Sequence, residues 1–503
     1  MDGVGMRRQG RVLVGALAGA LALLSTVAAR PPAPASSPVS VLPILPVVTG
    51  NAALDHAERV ALEVLAANED GGAHRAAPFY INPWIRDSYA WGMVPDDRGT
   101  LGTYARGELA YWLPRQQPSG GWVTFQYSGW YDETPIYIAA VLDAYRLTGD
   151  TAMVRRELPA LRRAWGWMRR SYVVPRQGSG CLLWASIRPS GAHWAADWAD
   201  QVSRPGYNPQ LQGLWYRATD ALAALELLAS DKRAARADAT AATCIARDAN
   251  RILWTVDSPA HLHAPALAPF GHYRAYPRGR NYFELDGNAL LLAAGVAPRD
   301  RRASVLDMIA DNARYLLGGD GAGPARVLYG DYATQDYGPI HNWMGPGRYQ
   351  SAYWPNVGGL LAIAAARNDD SATALAVLRG IARRSGDAGS AFDEWYTADG
   401  APGGAKVYGW SARMYLLALY RAYLGVDDPN DVSSIGHPAD LVLRAAPGPA
   451  RGELVRLGKR ITIVGHGAGP FRYARLGRRV LRSFVVPAGL LHDGAVLDVY
   501  RGR

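Results

Sequence analysis

The stretch Asp197-Trp198-Ala199-Asp200 shows how most of this chain is built. It is followed by a helical pattern that begins Pro209-Gln210-Leu211-Gln212-Gly213-Leu214-Trp215-Tyr216. An aromatic-rich loop that carries an acid leads into an apolar-periodic helix. The same arrangement returns in Phe392-Asp393-Glu394-Trp395-Tyr396, which precedes Tyr408-Gly409-Trp410-Ser411-Ala412. Loops on a helical scaffold are where function concentrates, so the two acidic loops are the first candidates for a functional site.

Helical spacing of apolar residues recurs from Asn51 to Leu424 and predicts about twelve helices. The long loops carry most of the Trp, Tyr, Asp and Gly and follow alternate helices. Six helical hairpins closed in a ring would bring those loops together at one end. We therefore expect a mostly α fold, an (α/α)6 barrel (a six-hairpin toroid) over residues 49–428, with no period-two strands in it. The predicted helices are Asn51–Ala67, Asp87–Gly92, Leu101–Gln116, Glu133–Leu147, Thr151–Tyr172, Pro209–Ala229, Lys232–Thr255, Glu284–Ala294, Arg299–Leu317, Arg348–Ala366, Ser371–Ser385 and Tyr408–Gly425.

The pattern changes at about residue 440, where short apolar runs alternate with glycine-rich turns and predict a small β module over 440–503. Residues 441–503 hold 12 Lys and Arg against 3 Asp and Glu, whereas the whole chain has a net charge of +10. This basic module suits an anionic cell-wall polymer or membrane surface. A merely solvated basic face is the alternative. Nucleic acid is a poor fit, because the tryptophans lie outside the basic region. The predicted strands are Leu441–Arg444, Ile461–Val464, Val480–Val486 and Ala495–Tyr500.

The first 48 residues have the pattern of an export signal and a linker. Basic residues precede the uncharged apolar run Val12–Ala29, which predicts a signal peptide, or an N-terminal membrane anchor, over residues 1–29. A Pro/Ala/Ser-rich linker over 30–48 follows. We therefore expect an exported protein that is secreted, periplasmic or bound to the cell envelope. Export would permit a disulfide between Cys181 and Cys244, although two buried thiols fit equally well.

The aromatic composition favours a polar ligand. There are 16 Trp and 27 Tyr but only 7 Phe, and indole and phenol rings offer a flat apolar face with a hydrogen-bonding tip. Such rings stack on sugars, and carboxylates bond sugar hydroxyls. Cleavage of a glycosidic bond uses two acids, one held protonated by apolar surroundings and one kept ionised. Neither metal-ligand spacing nor a cofactor motif is evident, so we expect no metal and no cofactor.

These motifs, in this order, resemble the six-hairpin glycosidases, and most closely the amylo-α-1,6-glucosidase (glycogen debranching type) branch of the glucoamylase-like clan. The resemblance covers roughly residues 75–425 and departs from the family pattern at Gly213-Leu214 and Ser351-Ala352, so it specifies neither the sugar nor the linkage. The matching pieces are Pro83–Ser88, Tyr131–Pro135, Trp198–Asp200 with Pro209–Tyr216, Tyr349–Pro355, and Phe392–Glu394 with Gly404 and Trp410–Ala412.

The resemblance implies that Asp200 is the general acid and Glu394 the general base of an inverting, exo-acting glycoside hydrolase that acts on a glucan-like carbohydrate. It also implies that Arg86 and Asp87 clamp the terminal sugar, although a structural ion pair is an equal reading of these two residues. Asp197 and Asp393 are the competing acids. A polysaccharide lyase or phosphorylase, with Tyr207, Tyr337 and His341 as candidates, or an inactive sugar-binding protein, are the alternatives.

The remaining candidates are weaker. Trp84, Trp198, Trp215 and Trp354 are expected to contact substrate, with Trp84 and Trp354 favoured because each lies beside a proline in a loop. Each could equally be core filler. Asp132 is expected to contact substrate. Asp286 is expected at a helix start, and His193 and His341 are expected to be hydrogen-bonding loop residues. Asp336 is an isolated acid near a loop, to which the sequence assigns no role.

Overall fold

The computed structural model describes residues 47–70, 73–80, 83–93, 103–122, 132–174, 178–185, 197–199, 202, 204–275, 280–319, 323–337, 345–386, 392–429 and 437–502. The expectations for residues 1–46, for Asp200 and for His193 and His341 lie outside this set. Residues Val41–Arg503 belong to one compact unit by their backbone contacts. Within the described part of the chain, no helix has the length and apolar content needed to cross a bilayer.

Thirteen α-helices are found among the described residues, and most coincide with the periodic segments of the sequence. Several begin at a capping side chain: Asn208 accepts from two backbone amides of the first turn, and Asp150 accepts from Met153 N at 2.8 Å. The helices are α1 Ala52–Asn68, α2 Ile85–Tyr89, α3 Thr103–Trp112, α4 Glu133–Thr148, α5 Thr151–Tyr172, α6 Pro209–Leu228, α7 Lys232–Ile252, α8 Leu285–Ala293, α9 Arg299–Asp311, α10 Ala313–Leu316, α11 Pro355–Arg367, α12 Ser371–Gly386 and α13 Gly409–Ala418, which continues as a π-helical turn, Leu419–Tyr423.

Six of these helices form a buried inner set. α8, α11 and α13 are buried along their whole length, and α4 along nearly all of it, as expected for helices that are apolar on every side. Each helix of the set contacts the next one in the order α2, α4, α6, α8, α11, α13, and α13 in turn contacts α2. Amphipathic helices lie outside this set. α5 packs on α4 and α6, and α7 packs on α6. α1 and α12 pack on each other. In addition, α1 packs on α13, and α12 packs on α11.

The body of the chain, predicted to be helical with no period-two strands, is not all-helical. The body of the chain contains short strands in its loops, paired as β1–β2, β3–β4 and the four-stranded sheet β5–β6–β7–β8. Each has only two to four residues, too few to show a period of two. They are β1 Glu69–Asp70, β2 Ala73–His74, β3 Trp254–Asp257, β4 Phe270–Tyr273, β5 Ala325–Arg326, β6 Tyr353–Trp354, β7 Trp395–Tyr396 and β8 Pro402–Gly403.

Two predicted helix boundaries also need correction. Trp254 and Thr255, predicted as the end of a helix, lie in β3 instead. The segment from Arg348 to Trp354 is a short 3-10 turn followed by β6, and the helix starts only at Pro355. Tyr349 has a φ of +42°, which an α-helix does not accommodate. The sequence did not decide whether the two cysteines are bonded. They form a disulfide that links the loop at Cys181 to α7 at Cys244.

The C-terminal region is a β structure of two sheets. One has the strand order β15–β10–β9, and the other, with five strands, has the order β11–β12–β16–β13–β14. Two strands that the sequence did not predict, β11 and β13, lie in the larger sheet. The strands are β9 Val426–Asp427, β10 Leu441–Leu443, β11 Ala450–Arg456, β12 Lys459–His466, β13 Phe471–Leu476, β14 Arg479–Leu481, β15 Val485–Val486 and β16 Ala495–Arg501.

The larger sheet packs on the carboxyl ends of the inner helices. Leu457 N donates to Arg146 O at the end of α4, and Tyr420 OH donates to Glu453 O of β11, at 2.8 and 2.9 Å. Asp428 lies between Arg421 and Arg456, with oxygen–nitrogen distances of 2.6 and 2.7 Å. Burial alone would raise the pKa of Asp428, but these cations and Arg146 hold it well below its usual value. Hydrogen bonds and buried ion pairs therefore join the module to the helices.

Candidate active site

Four tryptophans from separate segments meet near the amino ends of α11 and α13. Trp198 lies edge-on to three others, with ring centroids 5.7 Å from Trp91, 5.1 Å from Trp354 and 5.8 Å from Trp410. Trp91 and Trp410 are 4.9 Å apart. All four are buried. We call this set the tryptophan cluster. It brings together Trp198 and Trp354, which the sequence nominated, and adds Trp91 and Trp410, which it did not.

An arginine surrounded by carboxylates lies at the same end. Arg86 Nε donates to Glu133 Oε1 at 2.9 Å, and Arg86 Nη2 is 3.5 Å from Asp132 Oδ1. Its guanidinium carbon lies 5.3 Å from the centre of the half-buried Trp84 ring. Burial would lower the pKa of Arg86, but Asp132, Glu133 and Asp87 together raise it. Arg86 is therefore a fixed cation among three acids.

Asp87 and Asp132 are unusual because they are buried acids with raised pKa values. Burial raises the pKa of each to about 7, although Arg86 opposes the shift in both cases. Both oxygens of Asp132 are buried and accept no hydrogen bond of normal geometry from the described residues. Buried acceptors are costly unless a donor reaches them, so these carboxylates are suited to a ligand that brings hydroxyl groups.

A second cation, Arg204, is enclosed in the same manner. Arg204 Nη1 is 3.0 Å from Glu284 Oε2 and 3.1 Å from Asp286 Oδ2, and Arg204 Nη2 is 3.0 Å from Asp197 Oδ1. Trp198 Nε1 donates to Asp286 Oδ2 at 2.8 Å, which ties this group to the tryptophan cluster. Asp286 lies in the first turn of α8, where the sequence expected a helix-start role. Burial raises the pKa of Glu284 to about 7.

Asp197, the rival of Asp200, is held by several donors. It accepts from Ala199 N at 2.9 Å and from Asn208 Nδ2 at 3.2 Å, and it also pairs with Arg204. A carboxylate held by this many donors is suited to shaping the loop. Asp200 itself lies outside the described residues.

Glu394 is braced by a tight loop. Its side chain is 6% exposed, and Glu394 Oε2 accepts from Ala405 N at 2.8 Å. Gly404 has a φ of +71°, and a Cβ at that position would lie 2.2 Å from Glu394 Oε2. The glycine is therefore required both by its backbone conformation and by the closeness of the carboxylate. The competing acid Asp393 has its pKa raised by burial, an effect that Tyr396 partly offsets.

Tyr408 connects the acids around Arg86 with Glu394. Burial raises its pKa well above the usual value, and the negative charges of Asp87 and Glu394 raise it further, so both acids interact with this phenol. Backbone strain collects around the same residues: Trp91, Phe392 and Val407 have φ values of +62°, +53° and +57°. Left-handed conformations of non-glycine residues persist where surrounding structure enforces them, and they are concentrated at functional sites.

The other nominated residues are placed differently. Trp215 stacks on Trp165 with centroids 5.6 Å apart and donates its indole N–H to Cys181 O, contacts that give it a packing role. Asp336 accepts from Tyr282 OH at 2.8 Å. The tyrosines considered for a lyase are both engaged: Tyr207 OH donates to Val174 O, and Tyr337 OH shares a 2.8 Å hydrogen bond with Ser351 Oγ.

Sequence reasoning missed several participants. Glu133, Arg204 and Glu284 are charged and fully buried, and Arg413 Nη1 donates to Asp87 O from α13 at 2.9 Å. Glu133 follows Asp132 directly in a quoted motif, so it was available as a candidate. The partners of the arginines are distant in the chain, and no local pattern reveals such pairings.

The chain resembles solved glycosidases in fold. A sialidase superposes with a TM-score of 0.60 at 11% identity, covering 91% of this chain and 40% of that one. The alpha-L-rhamnosidase from Dictyoglumus thermophilum gives 0.56 at 11%, covering 92% and 50%. The GH78 family rhamnosidase of Bacillus sp. GL1 gives 0.54 at 16%, covering 84% and 42%. No family model and no curated protein matches the sequence.

At these identities the similarity is one of fold. It does not single out the debranching branch that the motifs resemble. The chain spans half or less of the length of each of these three structures.

Proposed function

We propose that this protein is an exported glycoside hydrolase that removes single sugars from the end of a carbohydrate chain with inversion of configuration. The observation that carries the proposal is the meeting of buried acids with the tryptophan cluster at the amino ends of the inner helices. Asp87 and Glu394 interact there with the same phenol, that of Tyr408, and Asp286 accepts a hydrogen bond from Trp198. The similarity in fold to structures named as rhamnosidases and a sialidase supports the same class of reaction.

The fold proposed for this site is an (α/α)6 barrel over residues 49–428. The cyclic order of contacts among α2, α4, α6, α8, α11 and α13 supports a closed inner ring. In such a ring the amino ends of all six helices face one side. The loops that precede them then form a single basin, with the β module of residues 440–503 on the opposite end.

The proposed chemistry uses Asp200 as general acid and Glu394 as general base. Asp200 gives its proton to the glycosidic oxygen as the bond from that oxygen to the anomeric carbon breaks. A water molecule attacks the same carbon from the opposite face, and Glu394 takes the proton that the water loses. Inversion requires about 6.5–9.5 Å between the two carboxyl groups to admit the water. No metal and no cofactor is needed for these steps.

Substrate recognition is assigned to the acids around Arg86. The buried oxygens of Asp132 and Asp87 offer acceptors to sugar hydroxyls, and Arg86 fixes their position. Several acceptors and one cation in a small volume suit the hydroxyl-rich end of a chain better than its middle, which is why an exo action is proposed. Trp84, half-buried beside Arg86, is suited to stacking on the sugar face.

The test is hydrolysis of a substrate panel followed by product analysis. The panel contains α-glucans, α-L-rhamnosides and wall-derived oligosaccharides, and anomeric proton NMR follows the first product formed. The proposal expects release of single sugars whose anomeric configuration is opposite to that of the substrate. Internal cleavage would reject the exo assignment. A retained anomer would reject the roles given to Asp200 and Glu394, and an unsaturated product would indicate a lyase.

A further inference from the structure

The hairpin formed by β13 and β14, residues 471–484, combines positive charge with exposed apolar side chains. Its sequence, Phe-Arg-Tyr-Ala-Arg-Leu-Gly-Arg-Arg-Val-Leu-Arg-Ser-Phe, contains five arginines and no acid. All five are exposed, and none of them forms an ion pair with another described residue. We call residues 471–484 the basic hairpin. The arginines are Arg472, Arg475, Arg478, Arg479 and Arg482.

Exposed apolar side chains are concentrated at the same place. Large exposed hydrophobic residues are few among the described residues, yet Val480 and Phe484, 48% and 52% exposed, both lie in the basic hairpin. Val496, 46% exposed, lies in the same sheet. Val480 is the cross-strand partner of Arg475, so the two side chains share one face of the sheet. Apolar and cationic groups are therefore interleaved rather than separated.

The backbone of the hairpin is fixed, so the exposure does not result from a loose end. β13 pairs with β16 on one side and with β14 on the other. Beyond β14, the carbonyl of Phe484 accepts from Leu443 N at 2.7 Å. The opposite face of the sheet is occupied, since Ala474, Leu497 and Val499 are buried. On the outer face Arg475 lies over the rings of Tyr473 and Tyr500. The exposed side chains of this face can meet a partner without unfolding the module.

We propose that the basic hairpin docks on the surface of an anionic phospholipid bilayer. Such a surface presents phosphate groups to arginines and, just beneath them, hydrocarbon to Phe484 and Val480. A soluble anionic polymer would make use of the charge but would leave the exposed phenyl ring in water. Each arginine near an anionic bilayer contributes roughly a fivefold increase in partitioning, and a Debye length of about 10 Å at 0.1 M salt makes this contribution salt-sensitive.

The test is cosedimentation of the full chain with vesicles of equimolar phosphatidylglycerol and phosphatidylcholine, and with phosphatidylcholine vesicles alone. The proposal expects binding to the anionic vesicles only. The triple variant Arg478→Gln, Arg479→Gln, Arg482→Gln should lower partitioning by about 100-fold. Phe484→Ser should lower it by about 10-fold. The matched control Lys232→Gln, Arg233→Gln, Arg236→Gln removes the same charge from exposed positions of α7 and should have little effect.

Melting curves verify that each variant is folded. Equal losses in the hairpin triple and in the α7 control would overturn the proposal, because overall charge would then explain binding. Equal binding to both kinds of vesicle would also overturn it. Wild-type binding to soluble polyphosphate as tight as to vesicles, with no effect of Phe484→Ser, would assign the hairpin to an anionic polymer instead.

Discussion

Replacing Gly404 by alanine tests the placement of Glu394 most sharply. Gly404 has a φ of +71°, and an added Cβ would lie 2.2 Å from Glu394 Oε2, 2.9 Å from Glu394 Cβ and 2.8 Å from Trp395 Nε1. Real Cβ atoms do not approach other atoms this closely, so the carboxylate must move. Moving it weakens the hydrogen bond that Glu394 Oε2 accepts from Ala405 N.

Two effects of different size follow from this geometry. The left-handed backbone costs an alanine about 1–2 kcal/mol, which lowers the free energy of unfolding. The steric effect acts on activity, because a displacement of roughly 1 Å at a reacting group can cost about 100-fold in rate. We therefore expect Gly404→Ala to lose about 100-fold in kcat while remaining folded.

The control is Gly494→Ala, which separates the two effects. Gly494 has nearly the same φ, +72°, but no atom lies within 4 Å of its added Cβ. It should therefore lose similar stability and no activity. The assays are urea unfolding and kcat on whichever substrate the panel identifies. Equal kcat values in the two variants would refute the reasoning, since Glu394 would then not depend on the space that Gly404 leaves.

Two further predictions rest on charged groups. Burial raises the pKa of Asp87 and of Asp132 to about 7, so the folded protein binds more protons than the unfolded chain between about pH 4 and pH 7. Their contribution to stability is therefore present at low pH and is lost as the pH rises to 7. The melting temperature should fall over this range, and Asp132→Asn should make the fall smaller. An unchanged dependence of the melting temperature on pH in Asp132→Asn would argue against a raised pKa of Asp132. Asp428→Asn should cost about 3–5 kcal/mol in urea unfolding because it removes the charge that pairs with both Arg421 and Arg456, which are buried, while the exposed control Asp307→Asn should cost almost nothing. A loss below about 1 kcal/mol in Asp428→Asn would mean that the β module does not depend on this buried cluster.

The sequence predicted the helices well where the apolar period was long. The prediction for Thr151–Tyr172 matches α5 at both ends, because that segment has a strong amphipathic pattern and an aspartate cap. The helix prediction failed between Arg348 and Trp354, where apolar residues have helical spacing but the backbone turns at Tyr349. The short strands of the loops were missed because two to four residues cannot establish a period. Their pairing depends on partners elsewhere in the chain.

The candidate site was predictable only in part. Aromatic residues beside acids drew attention to Trp198 and Glu394, and a proline in a loop drew attention to Trp354. The structure places both tryptophans in one cluster. Arg204 could not be nominated, because two of the three acids that surround it lie some eighty residues away in the chain. The acids with raised pKa values could not be identified from the sequence either, because burial causes the shift and no local pattern indicates burial.

The most direct test of the proposed function is the turnover number of Glu394→Gln beside that of Glu63→Gln, an exposed glutamate of α1. Both variants remove one negative charge and keep nearly the same shape. General-base assistance contributes about 10²–10⁴-fold in rate. Our account predicts that Glu394→Gln is folded and loses at least about 100-fold in kcat, while Glu63→Gln keeps wild-type activity. Wild-type activity in Glu394→Gln would contradict it.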